Sequence, residues 1–222
     1  GYADLHFVIP ELYDRIEIQK GPYAAEQGDF ATAGSVRLRA RERFDGRFAE
    51  YRIGPRNAHR FVGVFADPDA NGAPVLAAEI ARDDGPFVNP DRLERYNLFW
   101  RSRLGDGAVR TDLTLMGYGS TWNGSGQIPA RAVSDGRMDR FGSVDPTEGG
   151  SGQRQSAQLR ARSGGAGRDW DVSAYMIRTA FGLYSNFTFF AGDSVNGDQI
   201  VQGDHRVTTG FRAGVREEAR IL

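Results

Sequence analysis

The chain has 222 residues, 40% of them hydrophobic, with 29 glycines, no cysteine and a formal net charge of −1. That length suits one or two ordinary domains. The missing cysteine excludes disulfides, thiolate metal sites and cysteine nucleophiles, and the balanced charge, with no compact basic run, argues against nucleic acid as a partner.

Gly1-Tyr2-Ala3-Asp4 carries no signal-peptide pattern and reads as folded sequence, as expected where a leader has been removed or the chain is a piece of a longer one. Leu5 to Leu12 is apolar and broken by Pro10, a short strand or turn. Arg15-Ile16-Glu17-Ile18-Gln19 alternates with a period of two, which puts Ile16 and Ile18 on one face. Lys20-Gly21-Pro22 stops that strand, because Gly accepts unusual dihedrals and Pro brings no N–H to a ladder. Gly28-Asp29 and Ala33-Gly34 punctuate the return into Ser35–Ala40, which alternates again.

Beyond residue 42 the chain is a succession of alternating segments and turns. Arg47–Ile53 is the first. Arg60–Ala66 is apolar on both faces and ambiguous, and Asp67–Gly72 is a turn. In Val75–Arg82, Leu76, Ala78 and Ile80 face one way and Glu79 the other. Asp83–Arg92, with two prolines and a glycine, is a loop. Tyr96–Leu104 sets Tyr96, Leu98 and Trp100 against Asn97, Arg101 and Arg103, and a three-residue Gly105-Asp106-Gly107 connection predicts a hairpin into Val109–Thr121. There Val109, Thr111, Leu113 and Leu115 oppose Arg110, Asp112, Thr114 and Tyr118. Trp122–Gly152 is a long connection; Gln153–Ser163 alternates; Gly164–Gly167 turns the chain into a strand from Trp170 through the aromatic stretch Phe181–Phe190. Ala191–Asp204 is a polar loop before the last strand, Arg206–Arg216, in which Val207, Thr209, Phe211, Ala213 and Val215 oppose Arg206, Thr208, Gly210, Arg212 and Gly214.

Short connections (67–72, 105–107, 164–167) alternate with long ones (83–92, 122–152, 191–204), the brief Pro55–Ala58 link being the exception. No run of about 18 apolar residues is present, so no transmembrane helix is expected. A transmembrane barrel remains open, since there only every second residue is apolar and turn lengths differ between the two sides. Tyr96, Trp100, Trp122, Trp170, Phe187 and Phe189 near strand ends would suit interfacial girdles, or edge packing in a soluble sheet.

The segments Arg15–Pro22, Glu26–Asp29 and Ala33–Leu38 together resemble the closing part of the plug domain of TonB-dependent outer-membrane receptors. Asp84–Phe87, Asn89-Pro90 and Arg95–Phe99, then Gln127–Val133 and Arg140–Gly142, are similar to loops of the same family. The resemblance implies a β fold: residues 1–42 as the C-terminal part of a plug, and residues 43–222 as about eight N-terminal strands of a partial transmembrane antiparallel β-barrel. It implies a place in the cell outer membrane. It also implies active uptake of a scarce nutrient, such as a ferric siderophore or other metal chelate, with the TonB energising system and outer-membrane lipid as partners. The coupling motif, most of the plug and the aromatic final strand of the family are not in this sequence, so the chain is expected to be a fragment. The alternative is an exported soluble β-rich ligand-binding module.

Catalytic signals are thin, and no enzyme activity or cofactor is expected. His6, His59 and His205 are isolated, no HExxH, GxSxG or strand-following GxGxxG occurs, and the carboxylate pairs sit in turns without calcium-loop spacing. Positive charge is nearly all arginine, whose rigid fork suits carboxylate and phosphate groups. Arg101, Arg103, Arg110, Arg154, Arg160, Arg162 and Arg212 fall on the polar faces of their strands. They would line an inner wall, where they pair with carboxylates or attract an anionic ligand.

Overall fold

The computed structural model describes residues 4–23, 27, 31–67, 74–105, 107–165 and 168–217. The N-terminal segment passes through a single 3-10 turn, Pro10–Leu12, into strand β1 (Tyr13–Lys20), which pairs antiparallel with β2 (Gly34–Ala40). Pro10 begins the 3-10 turn, where its missing N–H costs nothing. Ile16 lies opposite Leu38, and Ile18 opposite Val36, so one face of this hairpin is apolar, with Ile16, Ile18 and Val36 exposed. The other face gathers Glu17 with Arg15, Arg37 and Arg39. Gly34 has φ +143°, and a Cβ there would strike the carbonyl of Gln19, so only glycine fits the start of β2. The expected Gly28-Asp29 turn lies outside the described residues.

The remaining strands form one eight-stranded sheet in which each is antiparallel to the next in sequence. They are β3 (Phe48–Ile53), β4 (His59–Phe65), β5 (Val75–Asp83), β6 (Leu93–Arg103), β7 (Arg110–Asn123), β8 (Gly149–Gly165), β9 (Arg168–Ser185) and β10 (Ile200–Glu217). Among the described residues the sheet is open, with β3 and β10 as its edges. Several strands outrun the sequence expectation. β7 and β8 pair from Arg110↔Arg162 to Asn123↔Gly149, because Trp122 and the run Gly149–Gly152 continue the ladder instead of joining the loop. β9 ends at Ser185, so Asn186–Phe190 is loop. The β6–β7 connection is longer than three residues: it spans 104–109 and is closed by Leu104 N–H donating to the Thr111 carbonyl at 2.7 Å.

Register and pleat give the sheet two unlike faces. One is covered by the N-terminal segment. Ile9 and Leu12 pack there against Val62, Val64, Ala66, Val75, Ala77 and Phe99, with Tyr13, Phe44 and Met116 at the margin. Fully burying side chains such as Ile9 and Leu12 stabilises by about 1.5–3 kcal/mol each. This explains the doubly apolar Arg60–Ala66. Its Val62 and Val64 meet the N-terminal segment, while Phe61 and Phe65 point to the opposite, open face. Towards β8–β10 the covered face becomes polar and charged. The open face is apolar and exposed along the sheet: Tyr51, Ile53, Phe61, Leu76, Ile80, Tyr96, Leu98, Leu115, Leu159, Met176, Val207, Phe211 and Val215 all present side chains to the outside. On this face the Tyr96 ring lies over Gly119, its cross-strand partner, filling the space a Cβ would need. Trp122 shares the covered face with Phe181, their rings 6.1 Å apart, and so leaves the expected open-face girdle.

The two ends of the sheet also differ. At one end the connections are 54–58, 84–92, 124–148 and 186–199; at the other they are 66–74, 104–109 and 166–167. The 54–58 link is the short member of the long end. It turns through Arg56 and Asn57, both at φ 57°, and closes with Gly54 N–H donating to the Ala58 carbonyl at 2.8 Å.

Candidate functional site

At the short-connection end, between the charged face of the β1–β2 hairpin and the covered faces of β6–β10, lies a cavity of about 1270 Å³. Alternation brings its walls together: at this end of β7, β8 and β9 every second residue faces it, and Arg110, Asp112, Arg160, Arg162 and Asp171 occupy those positions. Among the described residues, eight arginines line it (Arg37, Arg39, Arg101, Arg110, Arg160, Arg162, Arg212 and Arg216) against four carboxylates, Glu42, Asp112, Asp169 and Asp171. The formal excess among these lining residues is four positive charges, of which Glu17, 3.9 Å from Arg37 and 3.0 Å from Arg39, offsets one.

Five of the seven arginines expected from sequence to line an inner wall, Arg101, Arg110, Arg160, Arg162 and Arg212, line this cavity. Arg103 sits at its edge, 3.9 Å from Asp112. Arg154 stands apart, its guanidinium 4.4 Å from the ring centroid of Phe7 in a cation–π contact with the N-terminal segment. Within the cavity Arg160 Nε donates to Asp171 at 2.7 Å, and Arg110 Nε to Asp112 at 3.0 Å. Glu42, on the link between β2 and β3, reaches Arg162 at 3.4 Å and Arg110 at 4.0 Å, and its carbonyl accepts from Arg101 at 3.3 Å. Burial pushes the Glu42 carboxyl up, but the charges of Arg162 and Arg110 outweigh that and hold it below the ordinary glutamate range.

A second charged cluster joins the N-terminal segment to the sheet further along the same face. Glu79 is fully buried. Arg60 Nη2 donates to it at 2.8 Å, and Arg95 approaches at 2.6 Å as an ion pair whose oxygen lacks an aligned hydrogen bond. Arg60 also grips Glu11 with both nitrogens, at 2.7 and 2.8 Å, and these bonds hold the Glu11 carboxyl below its usual range. Nearby, Tyr118 donates to Asp4 at 2.6 Å and Asn97 to the His6 carbonyl at 2.9 Å.

At the long-connection end the loops interlock. Val88 N–H donates to the Phe141 carbonyl, Asn123 N–H to that of Asp91 and Asn89 Nδ2 to that of Pro146. Within 124–148 a one-turn helix, α1 (Ala130–Ser134), shortens the expected coil. Asp145 accepts from Thr147 N–H at 2.9 Å and from Asn186 Nδ2 at 2.8 Å, while Glu148 accepts from Asn186 N–H at 2.7 Å. Burial raises the Asp145 carboxyl, and the bonds from Thr147 and Asn186 more than reverse it, leaving it below the ordinary aspartate range.

Sequence reading missed Glu42, Arg37, Arg39 and Arg216 as wall partners. The signal for Arg37 and Arg39 was present in the alternation of β2, but its polar face had no stated target. The pairing of Glu11 with Arg60, 49 residues away, left no local trace. Chemically, the cavity offers charge-assisted hydrogen bonds to anions. Among the described residues no group of three His, Cys, Asp or Glu is placed to hold a metal ion. No protein-family model, curated protein or solved structure matches this chain.

Proposed function

We propose that residues 1–42 are the closing part of a plug and residues 43–222 the first strands of a TonB-dependent outer-membrane receptor. Its function is active uptake of a scarce nutrient, such as a ferric siderophore or other metal chelate, across the bacterial outer membrane. The observation that carries this reading is the asymmetry of the eight-stranded antiparallel sheet. Its apolar side chains are exposed on the open face, while the N-terminal segment sits on a face that turns from apolar to charged. In water an exposed row including Ile80, Leu98, Leu115, Met176 and Phe211 is an interaction surface or an aggregation hazard; against lipid tails it is at home.

Element lengths support the same reading. A tilted transmembrane strand needs about 9–11 residues, which β5–β10 supply and the six- and seven-residue β3 and β4 do not. The two longest connections, 124–148 and 186–199, fall at one end, in keeping with the unequal sides of barrels in this membrane. The open edges of β3 and β10 carry a requirement: backbone groups left unpaired in lipid cost several kcal/mol each. Further strands or other copies must therefore close the sheet. The interlocked loops at the long end, with Phe187, Phe190 and Val195 exposed, would then meet the ligand from outside the cell. Energy would come from the TonB system acting through the plug.

The test is extraction and electrophoresis of the complete protein. The reading predicts recovery with outer membranes, dependence on detergent and a band whose mobility changes on boiling. A freely soluble monomer with one unfolding transition would instead establish the exported binding module.

A further inference from the structure

We propose that the arginine-lined cavity at the short-connection end binds a small polyanion, a solute carrying two or more phosphate or carboxylate groups, and that Glu42 is its built-in competitor. Arg110 and Arg162 stand directly opposite each other across β7 and β8. Like charges in that position destabilise a sheet unless something neutralises both. Asp112 serves Arg110 at 3.0 Å and Arg162 only at 3.8 Å. Glu42 supplies the remaining negative charge from an exposed position: its side chain is 67% exposed and its contacts, at 3.4 and 4.0 Å, are long. A carboxylate so loosely held is displaceable by a ligand whose two anionic groups meet both guanidinium forks at shorter range.

Volume and charge point the same way. The cavity, about 1270 Å³, has room for such a solute together with water, and its lining arginines outnumber the carboxylates that line or pair with them eight to five. Arg160 is committed to Asp171 at 2.7 Å, Arg110 to Asp112 at 3.0 Å and Arg39 to Glu17 at 3.0 Å. The site lies at the end opposite the interlocked loops, so it is separate from the loop-side contact described above and stands on the described geometry alone. Because Glu42 belongs to the link between β2 and β3, an anion that takes Arg162 and Arg110 from it also loosens the link's hold on the wall to the bond from Arg101 to the Glu42 carbonyl.

Calorimetric titration of the complete protein with tripolyphosphate and, separately, citrate tests this. Saturable binding of either probe is expected, weakening as salt rises; which probe binds tighter sets the ligand as phosphate- or carboxylate-bearing. Arg110→Gln with Arg162→Gln should weaken it about tenfold or more, as losing charge-assisted bonds does. Glu42→Gln, which leaves all the arginines in place, should tighten it severalfold and make the 41–47 link more susceptible to protease. Absence of saturable binding to the unaltered protein overturns the proposal. So does binding that is weakened by Glu42→Gln, or that is unchanged in an arginine variant which retains its native tryptophan emission.

Discussion

Replacing Glu79 by Leu removes the one fully buried carboxylate that holds Arg60 and Arg95 together on the covered face. Taking one partner from a buried ion pair costs about 3–5 kcal/mol, because the charge left behind stays desolvated. Arg60 keeps its two-pronged grip on Glu11, at 2.7 and 2.8 Å, so its share of that loss is softened. Arg95 loses the carboxylate it faces at 2.6 Å. The expected destabilisation is therefore at the low end, about 3 kcal/mol. Urea unfolding of the complete protein, followed by tryptophan emission, measures it as a lower midpoint with an unchanged slope. Adding Arg95→Met to Glu79→Leu should recover most of the loss, since Arg60 still has Glu11 as its counter-ion and the new apolar pair needs none. A single-variant cost under about 1 kcal/mol, or no recovery in the double variant, would refute the account of Glu79 as a desolvated counter-ion.

Asp145→Asn should cost about 1–3 kcal/mol by breaking the clamp between loops 124–148 and 186–199, read as faster proteolysis of those loops with little change in the sheet. Because the folded Asp145 pKa lies below its unfolded value near 3.9, that contribution is fully present above about pH 4 and is lost as pH falls through the folded pKa. Loop protection measured from pH 6 downwards should hold to about pH 4 and then fall in the parent protein alone. Gly126→Ala, at φ +57° with its new methyl aimed at the Glu148 carboxylate, should destabilise the same loop cluster by about 1–3 kcal/mol; protease resistance equal to the parent would contradict that geometry.

Most of the sheet was readable from alternation because each strand from β5 onwards pairs with its sequence neighbour, so local pattern and tertiary pairing agree. Leu76, Ala78 and Ile80 opposite Glu79, or Leu113 and Leu115 opposite Asp112 and Thr114, needed only a period of two. β4 resisted for a physical reason: Val62 and Val64 answer to Ile9 and Leu12 some fifty residues earlier, while Phe61 answers to the outside, so both faces are apolar. Strand ends were misjudged where glycine continued a ladder, as at Gly149–Gly152. The arginines of the cavity were identifiable by face. Their grouping at one end, with Glu42 among them, was not, because it depends on how the hairpin lies against β6–β10.

The central claim is that the open face meets lipid and the covered face does not. The chain has no native cysteine, so single cysteines carrying nitroxide labels can be placed along β7 of the complete protein in bilayers. Labels at Thr111, Leu113 and Leu115 should be relaxed by oxygen, which concentrates in lipid, and shielded from a water-soluble nickel chelate. Labels at Asp112 and Thr114 should show the reverse. Equal exposure of both sets to the aqueous reagent would contradict the account and leave the apolar row as the surface of a soluble protein.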